Sequence, residues 1–500
     1  SSATLVHNII RGNAAVGNRE SGGGGIYAGF TTASDQLLIL EHNKIIENHA
    51  ESKFDEAAGG GLWIDYSARI YNNVFSENTC VAKKSSYGAA IAAGGYSKSN
   101  HYFELLGNWV ENNATTVILE GEWAFGAVVT MFQKNIISDN YFLGNKNKGT
   151  SNSRAAGLNI YESENETVIL NNVFRTNISE GNSFWGAALF AGRSSNVIIE
   201  QNIFEDNKCN SGPGICFFNS NGIVRNNKIY KNRAIKYASG LEAFQSKMLI
   251  ENNELHENSS TGAGSVWLIE TNGIFQNNLV YKNQAGNAPG IGVHELASNN
   301  AAMVVHDGQA TNSAANDIAT VMSDSIPNVD AMLVLNNTVY NNRGKWGGGL
   351  YASGWKTIAA NNIFYGNTAT EDDNKQVYNT GGNLTVQHSL VQYGWEGEGN
   401  FDLNPQFADA GMRLTPESPC LGAGISELLV DSILVKAPFT DFGGALRPQP
   451  AGSHPDLGAW EHAFSAPHFA GRINIPADYA TIQEGINAAF DGDTVLVAEG

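Results

Sequence analysis

The sequence predicts an all-β solenoid, a coil of about twelve or more turns whose short strands stack in parallel, closed by a C-terminal capping region. Three observations predict it. A heptapeptide recurs along the chain as HNIIRGN at 7–13, NNVFSEN at 72–78, NNVFRTN at 171–177, QNIFEDN at 201–207, NNLVYKN at 277–283 and NNIFYGN at 361–367. A second motif, small-Gly-apolar-x-apolar, precedes it in each unit. No hairpin signal separates the copies.

The heptapeptide sets the period. Its leading asparagine falls at 8, 43, 73, 108, 140, 172, 202, 227, 253, 278, 337 and 362, mostly at intervals of 25 to 35 residues. Each copy has a second asparagine five positions later, from Asn13 to Asn367. Between them lies an apolar residue, as at Ile10, Phe75, Phe174, Leu255 and Phe364. The second motif reads GGGIYA at 23–28, GGGLWI at 59–64, WGAALFA at 185–191, SGLEAF at 239–244 and GGGLYA at 347–352. Apolar residues alternate there with period two, the mark of a strand. Leu62/Ile64, Leu189/Ala191 and Leu241/Ala243 are expected inward, and Trp63, Phe190 and Glu242 outward. A unit is then two or three short strands with turns, too short to bury a core until it stacks on its neighbours. Aligned asparagines in the bends would hydrogen-bond to one another, as stacked Asn does in cross-β structures. The glycosylation-type sequons at Asn113, Asn177 and Asn258 belong to these rows, so the expected role of their side chains is fastening.

The alternation of GG-apolar and F-x-x-N motifs resembles right-handed parallel β-helix repeat proteins, including the polymorphic membrane protein type of repeat. The likeness covers roughly residues 1–370. It implies a right-handed single-stranded coil. Residues 396–425 are similar to the closing segment of secreted β-helix proteins, departing from it at Cys420, Leu421 and Gly422, and DFGGALRPQPAGSHPDLGAWEH (441–462) resembles that family's last strand. Pro405, Pro416, Pro419, Pro448, Pro450 and Pro455 fit a cap that interrupts strand pairing. The organisation read from these features is 1–380 for the repeats, with their start missing, 381–462 for closing turns and cap, and 463–472 for a linker. Residues 473–500, with the helix-like stretch TIQEGINAAF, resemble the beginning of a second, tandem β-helix.

Composition narrows the partners. Thirty Lys and Arg against 49 Asp and Glu give a net charge of −19, which argues against nucleic acid and anionic lipid. No apolar run reaches the length of a membrane span. Four cysteines are no disulfide framework; Cys209 and Cys216 are near enough in sequence for a loop bridge, which stays open.

Function has to lie where the repeats disagree. One column of outward positions on the Gly-led strands reads Tyr27, Trp63, Ala92, Val129, Asn159, Phe190, Cys216, Glu242, Trp267, Gly292, Tyr351. Glu242, Glu270, His294 and Glu295 fall on three successive turns beside Trp267. Carboxylates with a histidine suit general acid/base work on a glycosidic bond or sugar C–H; a solvated strand edge is the plainer reading. The 59-residue interval from Asn278 to Asn337 adds a long loop, 297–332, carrying His306, Asp307, Asp317, Asp324 and Asp330. A second column, Tyr230, His256, Tyr281, Tyr340 and Tyr365, offers rings that stack on sugars or on one another. TEDDN at 370–374 has the hard oxygen ligands Ca²⁺ takes; no cofactor is otherwise called for. The expectation is a secreted or cell-surface module of a large bacterial protein, structural or adhesin-like, with Trp63, Trp267, Tyr230, Tyr281, Tyr340 and Tyr365 as the surface for a polysaccharide or cell-surface glycan. The rival is a polysaccharide lyase or glycoside hydrolase using Glu242, Glu270, His294 and Glu295.

Overall fold

The computed structural model describes the chain apart from residues 1, 30–35, 95–100, 151, 182, 296–327, 372–375, 468–470, 490–492 and 499–500. The coil runs from Ala3 to Val391 as a parallel β-helix. One turn shows its plan: strands Leu158–Tyr161, Thr167–Leu170, Val173–Arg175, Ile178–Glu180 and Ser183–Trp185 follow in order; the first four bond to their counterparts in the next turn, and Ser183–Trp185 bonds to Asn152–Arg154 of the turn before. Repetition builds five parallel sheets. Among the described residues sheet I (with Thr167–Leu170) and sheet II (with Val173–Arg175) have 13 strands each. Sheet III (with Ile178–Glu180) has 9, sheet IV (with Ser183–Trp185) has 6 and sheet V, the Gly-led strands, has 12.

NNVFRTN is the pair of corners flanking sheet II. Asn171 and Thr176 take φ of 56° and 55°, and each is followed by a ladder asparagine. A left-handed residue precedes both ladder positions in the other turns too, whether Gly, Asn, Asp, His, Gln, Glu or Lys. For a non-glycine residue this costs on the order of 1 kcal/mol. The ladder offsets the strain. Asn172 Nδ2 donates to Asn202 Oδ1 at 3.0 Å and to the Ile137 carbonyl at 2.8 Å, while its backbone N–H donates to the same Asn202 oxygen at 2.8 Å. Asn177 repeats the pattern with Asn207 and Phe142. Both rows are buried from Asn43 and Asn48 onward, and only their first members, Asn8 and Asn13, are exposed. The first ends on Ser389 and Asn400, the second on Gln376.

The apolar residue between each asparagine pair points inward. Phe142, Phe174 and Phe204 stack at 4.6 and 4.9 Å with planes 4° apart, the spacing of adjacent turns. They belong to one core that runs from Ala28 to Val391.

Trp395 packs against this core where the coil ends, on a segment tied to Val386, Ser389 and Val391. The remaining closing residues run back along the flank. Val430 and Val435, from the antiparallel hairpin Glu427–Val430/Ile433–Lys436, bury Leu333, Leu335, Ile358 and Ala360. That is why strands Met332–Leu335 and Thr357–Ala360 are apolar on both faces. Met412 and Ala459 cover Leu279, and Asn277, Asn336 and Asn361 donate to the carbonyls of Thr440, Asp456 and Ile425. Farther on, Arg472–Ile475 and Thr494–Val497 pair in parallel around a short helix, Ile482–Ala488, capped by Thr481 and Glu484. Among the described residues no helix is long and apolar enough to cross a membrane.

Candidate functional site

The outward column on sheet V is in the register the sequence implies: Tyr27, Trp63, Ala92, Val129, Asn159, Phe190, Cys216, Glu242, Trp267, Gly292 and Tyr351 pair in succession. Its expected exposure is not what the structure has. Phe190, Cys216, Glu242 and Trp267 point away from the coil interior yet are 0 to 8% exposed. The segments leading into the strands fold over them with Trp185, Tyr237, Ala238, Ala263 and Ala288, and make a second small core outside the first.

This separates the candidate acid/base residues. Glu242 turns towards Ser211, whose hydroxyl donates to its carboxyl, and Gly212. Burial pushes its pKa up to about 7. Cys209 and Cys216 are buried free thiols, so no bridge joins them, and burial raises both. The void bordered by Glu242, Trp185, Tyr237 and Phe244 measures about 20 Å³, room for roughly a water molecule and not a sugar. Trp267 stands between Glu242, its neighbour in the column, and His294, whose ring stacks on it at 5.6 Å. Burial lowers the His294 pKa, opposed by Glu270 and Glu295. Glu270 accepts from Gln245 Nε2 at 2.7 Å, and Glu295 lies over Gly354. His294, Glu270 and Glu295 therefore share a partly open rim that Glu242 does not face. Loop residues His306, Asp307, Asp317 and Asp324 lie outside the described residues, as do Asp372, Asp373 and Asn374 of the TEDDN stretch. Asp330 accepts from Asn272 Nδ2 at 3.2 Å, and Glu371 pairs with Lys345 at 3.2 Å.

A stability prediction follows for Glu242. Its folded pKa lies above the unfolded value of 4.5, so its contribution is full below that pH and is lost as pH rises through about 7. Glu242→Gln should flatten this loss, which is worth roughly 3 kcal/mol. Thermal melts at pH 4.5 and 8 check it; equal pH slopes in both proteins would contradict it.

The aromatic column on sheet II stacks on itself. Tyr230, His256 and Tyr281 lie 5.0 and 4.9 Å apart with nearly parallel planes, and Tyr340 and Tyr365 follow at 6.5 Å. Tyr281 donates to Glu254 at 2.5 Å. Tyr340 meets the edge of Phe407 from the closing segment, and Phe407 packs with Tyr281 against the cluster of Leu279, Met412 and Ala459 and with Tyr365 against that of Ile363, Leu390 and Leu414.

An open site exists elsewhere on the same column, nearer the N-terminus. There the column shrinks to Ala92 and Val129, and a trough of about 320 Å³ remains between sheets IV and V. Trp63 lies on its floor, over Gly22, where any Cβ would overlap the indole; the indole N–H donates to Asp65 at 3.0 Å. Ala57, Ala58 and Tyr87 form one wall, Met131 and Tyr161 line the rest, and Glu20, Glu56 and Glu162 stand around it. Burial, reinforced by Glu56, pushes the Tyr87 phenol up to about 12, which keeps its proton on. Behind Tyr161 the buried Arg154 guanidinium sits among four rings, 4.1 Å from Trp123, 5.5 Å from Phe125 and 4.9 Å from both Tyr161 and Phe190. Sequence reasoning reached Trp63 but missed Tyr87, Tyr161 and the three glutamates. The signal was the pair of small residues, Ala92 and Val129, between bulky ones in the column. Among the described residues no three His, Cys, Asp or Glu side chains gather to hold a metal ion.

No curated protein matches the chain. Residues 156–331 match the family model described as a right handed beta helix region, and the fold, with its parallel strands stacked turn on turn, is a right-handed parallel β-helix.

Proposed function

We propose that this β-helix is a secreted or cell-surface module of a larger multidomain protein, structural and adhesin-like, that binds carbohydrate in the trough between sheets IV and V. The observation that carries the reading is the trough itself. It runs along the coil, has Trp63, Tyr87 and Tyr161 to stack on sugar faces, and has carboxylates to accept from hydroxyl groups. The rod acts as a rigid support, because its turns are fastened by two continuous asparagine ladders. Trp63→Ala should weaken glycan binding at least tenfold with the fold unchanged, as removal of a stacking platform does. A glycan array followed by calorimetry on the positive glycan checks this; binding that survives the substitution would reject the trough as the site.

The polysaccharide lyase or hydrolase reading draws on Glu242, whose raised pKa suits a general acid, and on the rim formed by Glu270, His294 and Glu295. Burial of Glu242 over a void too small for a sugar weighs against it. Ca²⁺ at 370–374 remains a proposal, tested by calcium titration. The unit 472–497, a parallel strand pair around a capped helix with Ile482, Ile486 and Leu496 exposed, supports a tandem β-helix beginning there.

A further inference from the structure

We propose that sheet III carries a second binding surface, a basic stripe for a linear anionic polysaccharide whose charges are carboxylates or sulfates. It lies on another face from the trough and does not depend on the reading above. The outward column of this sheet pairs in register from turn to turn, and bridges continue it through Gln284 to Arg343. Its first positions, Ala14, His49, Thr79 and Ala114, hold no Lys or Arg. From there on Lys146, Lys208, Arg233 and Arg343 are exposed, separated only by the uncharged Ile178, Ser259 and Gln284. At 4.7–4.9 Å per turn the basic stretch is roughly 29 Å long.

Lys231 and Lys282 add to the stripe from the corner beside it, one turn's length of chain ahead of neither: each precedes its ladder asparagine on the turns of Arg233 and Gln284, and both are exposed. Among the described residues, the carboxylate within ion-pair distance of these cations is Asp206, 3.8 Å from Arg233. The corner carboxylate Glu257 faces His256 instead, at 3.6 Å. Shape and charge together choose the partner. The column lies on a flat sheet face, so it suits a chain laid along the coil. The net charge of −19 resides on the other faces, and charges there are screened beyond about 10 Å at 0.1 M salt. A thin strand on the stripe therefore meets mainly cations, whereas a duplex or an anionic membrane is broad enough to meet the acidic remainder. Single-stranded nucleic acid needs free ring faces for its bases. The rings under Lys231 and Lys282, Tyr230 and Tyr281, already stack on His256.

The test titrates the full chain by calorimetry with dextran, carboxymethyl-dextran and dextran sulfate of equal length, at low and high salt. At least one charged polymer should bind roughly tenfold tighter than dextran, a preference that falls with salt; comparing the two shows which anion is favoured. Lys208→Gln/Arg233→Gln should remove most of that preference. Lys44→Gln/Lys53→Gln, which removes two exposed cations off the stripe, and Trp63→Ala should keep it. Equal binding of charged and neutral polymers, or binding of none, overturns the inference. So does an equal loss in the two double variants, a loss in Trp63→Ala, or tighter binding of duplex DNA than of either charged dextran. A neutral glycan lost on Trp63→Ala concerns the trough alone, so either reading can fail without the other. Circular dichroism of both double variants confirms that the coil is intact.

Discussion

Asn177→Ala should lower the stability of the central turns by about 3–6 kcal/mol, the largest single-residue effect expected in the coil. Asn177 Oδ1 accepts from both the backbone N–H and the side-chain amide of Asn145, at 3.2 and 3.0 Å. Its own amide donates to the Phe142 carbonyl and to Asn207 Oδ1, both at 2.9 Å. Truncation leaves these groups of Asn145 and Phe142 buried and unmet, and each unmet buried group costs about 1–3 kcal/mol. Asn13→Ala supplies the control. Asn13 is exposed and its amide donates to Asn48 at 3.0 Å, so its loss should cost nearer 1 kcal/mol. Native-state hydrogen exchange along the coil reads the difference turn by turn. Equal costs for the two variants would show that the ladder adds nothing beyond ordinary turn hydrogen bonds.

Arg447→Met should loosen the closing segment by about 3–5 kcal/mol at neutral pH. The guanidinium is buried with its Nε 3.0 Å from Glu461 and an Nη donating to the Gly458 carbonyl at 3.1 Å. The Nε contact is an ion pair without hydrogen-bond alignment, and burial outweighs the attraction on both sides, lowering Arg447 and raising Glu461. Such a pair adds little net stability, yet its removal strands Glu461, Asp456 and Asp441 without a countercharge. The pH dependence follows. Burial and Glu461 raise Asp456 to about 8, above its unfolded value of 3.8, so its contribution is full below about pH 4 and is lost as pH rises through 8. Removing Arg447 takes away a charge that opposes this rise, so the variant should fall off more steeply between pH 5 and 8 and regain stability in acid. Urea melts at the two pH values, with limited proteolysis after residue 400, provide the measurement. A variant as stable as the parent at pH 8 would mean that packing alone holds the segment.

The coil was legible because its instructions repeat. Each turn carries the same asparagines, the same inward apolar residue and the same Gly-led strand, so one reading of NNVFRTN serves for all. Even the pairing of the outward column, from Tyr27 to Tyr351, could be read from the motif spacing. Its burial could not. The cover over Phe190 and Glu242 comes from Trp185, Tyr237 and neighbouring alanines in segments whose lengths vary from turn to turn. Nothing periodic announces which way such a segment folds. The closing residues posed the same difficulty: prolines marked a cap, but its course along the flank is dictated by apolar outer faces at Leu333, Leu335, Ile358 and Ala360. The trough was hidden for the opposite reason. It is a place where side chains are small, and its acidic residues lie off the repeat.

The flank course of the closing segment also bears on how the rod responds to pulling. A coil held only turn to turn unravels from its end like a thread, one small step at a time. Here the chain leaving Val391 is first stitched to the outer faces around Asn277, Asn336 and Asn361 before it departs near residue 462. Tension applied beyond that point reaches three turns at once and must slide the segment along them, so the force is shared in parallel and the last turn is shielded from being peeled away.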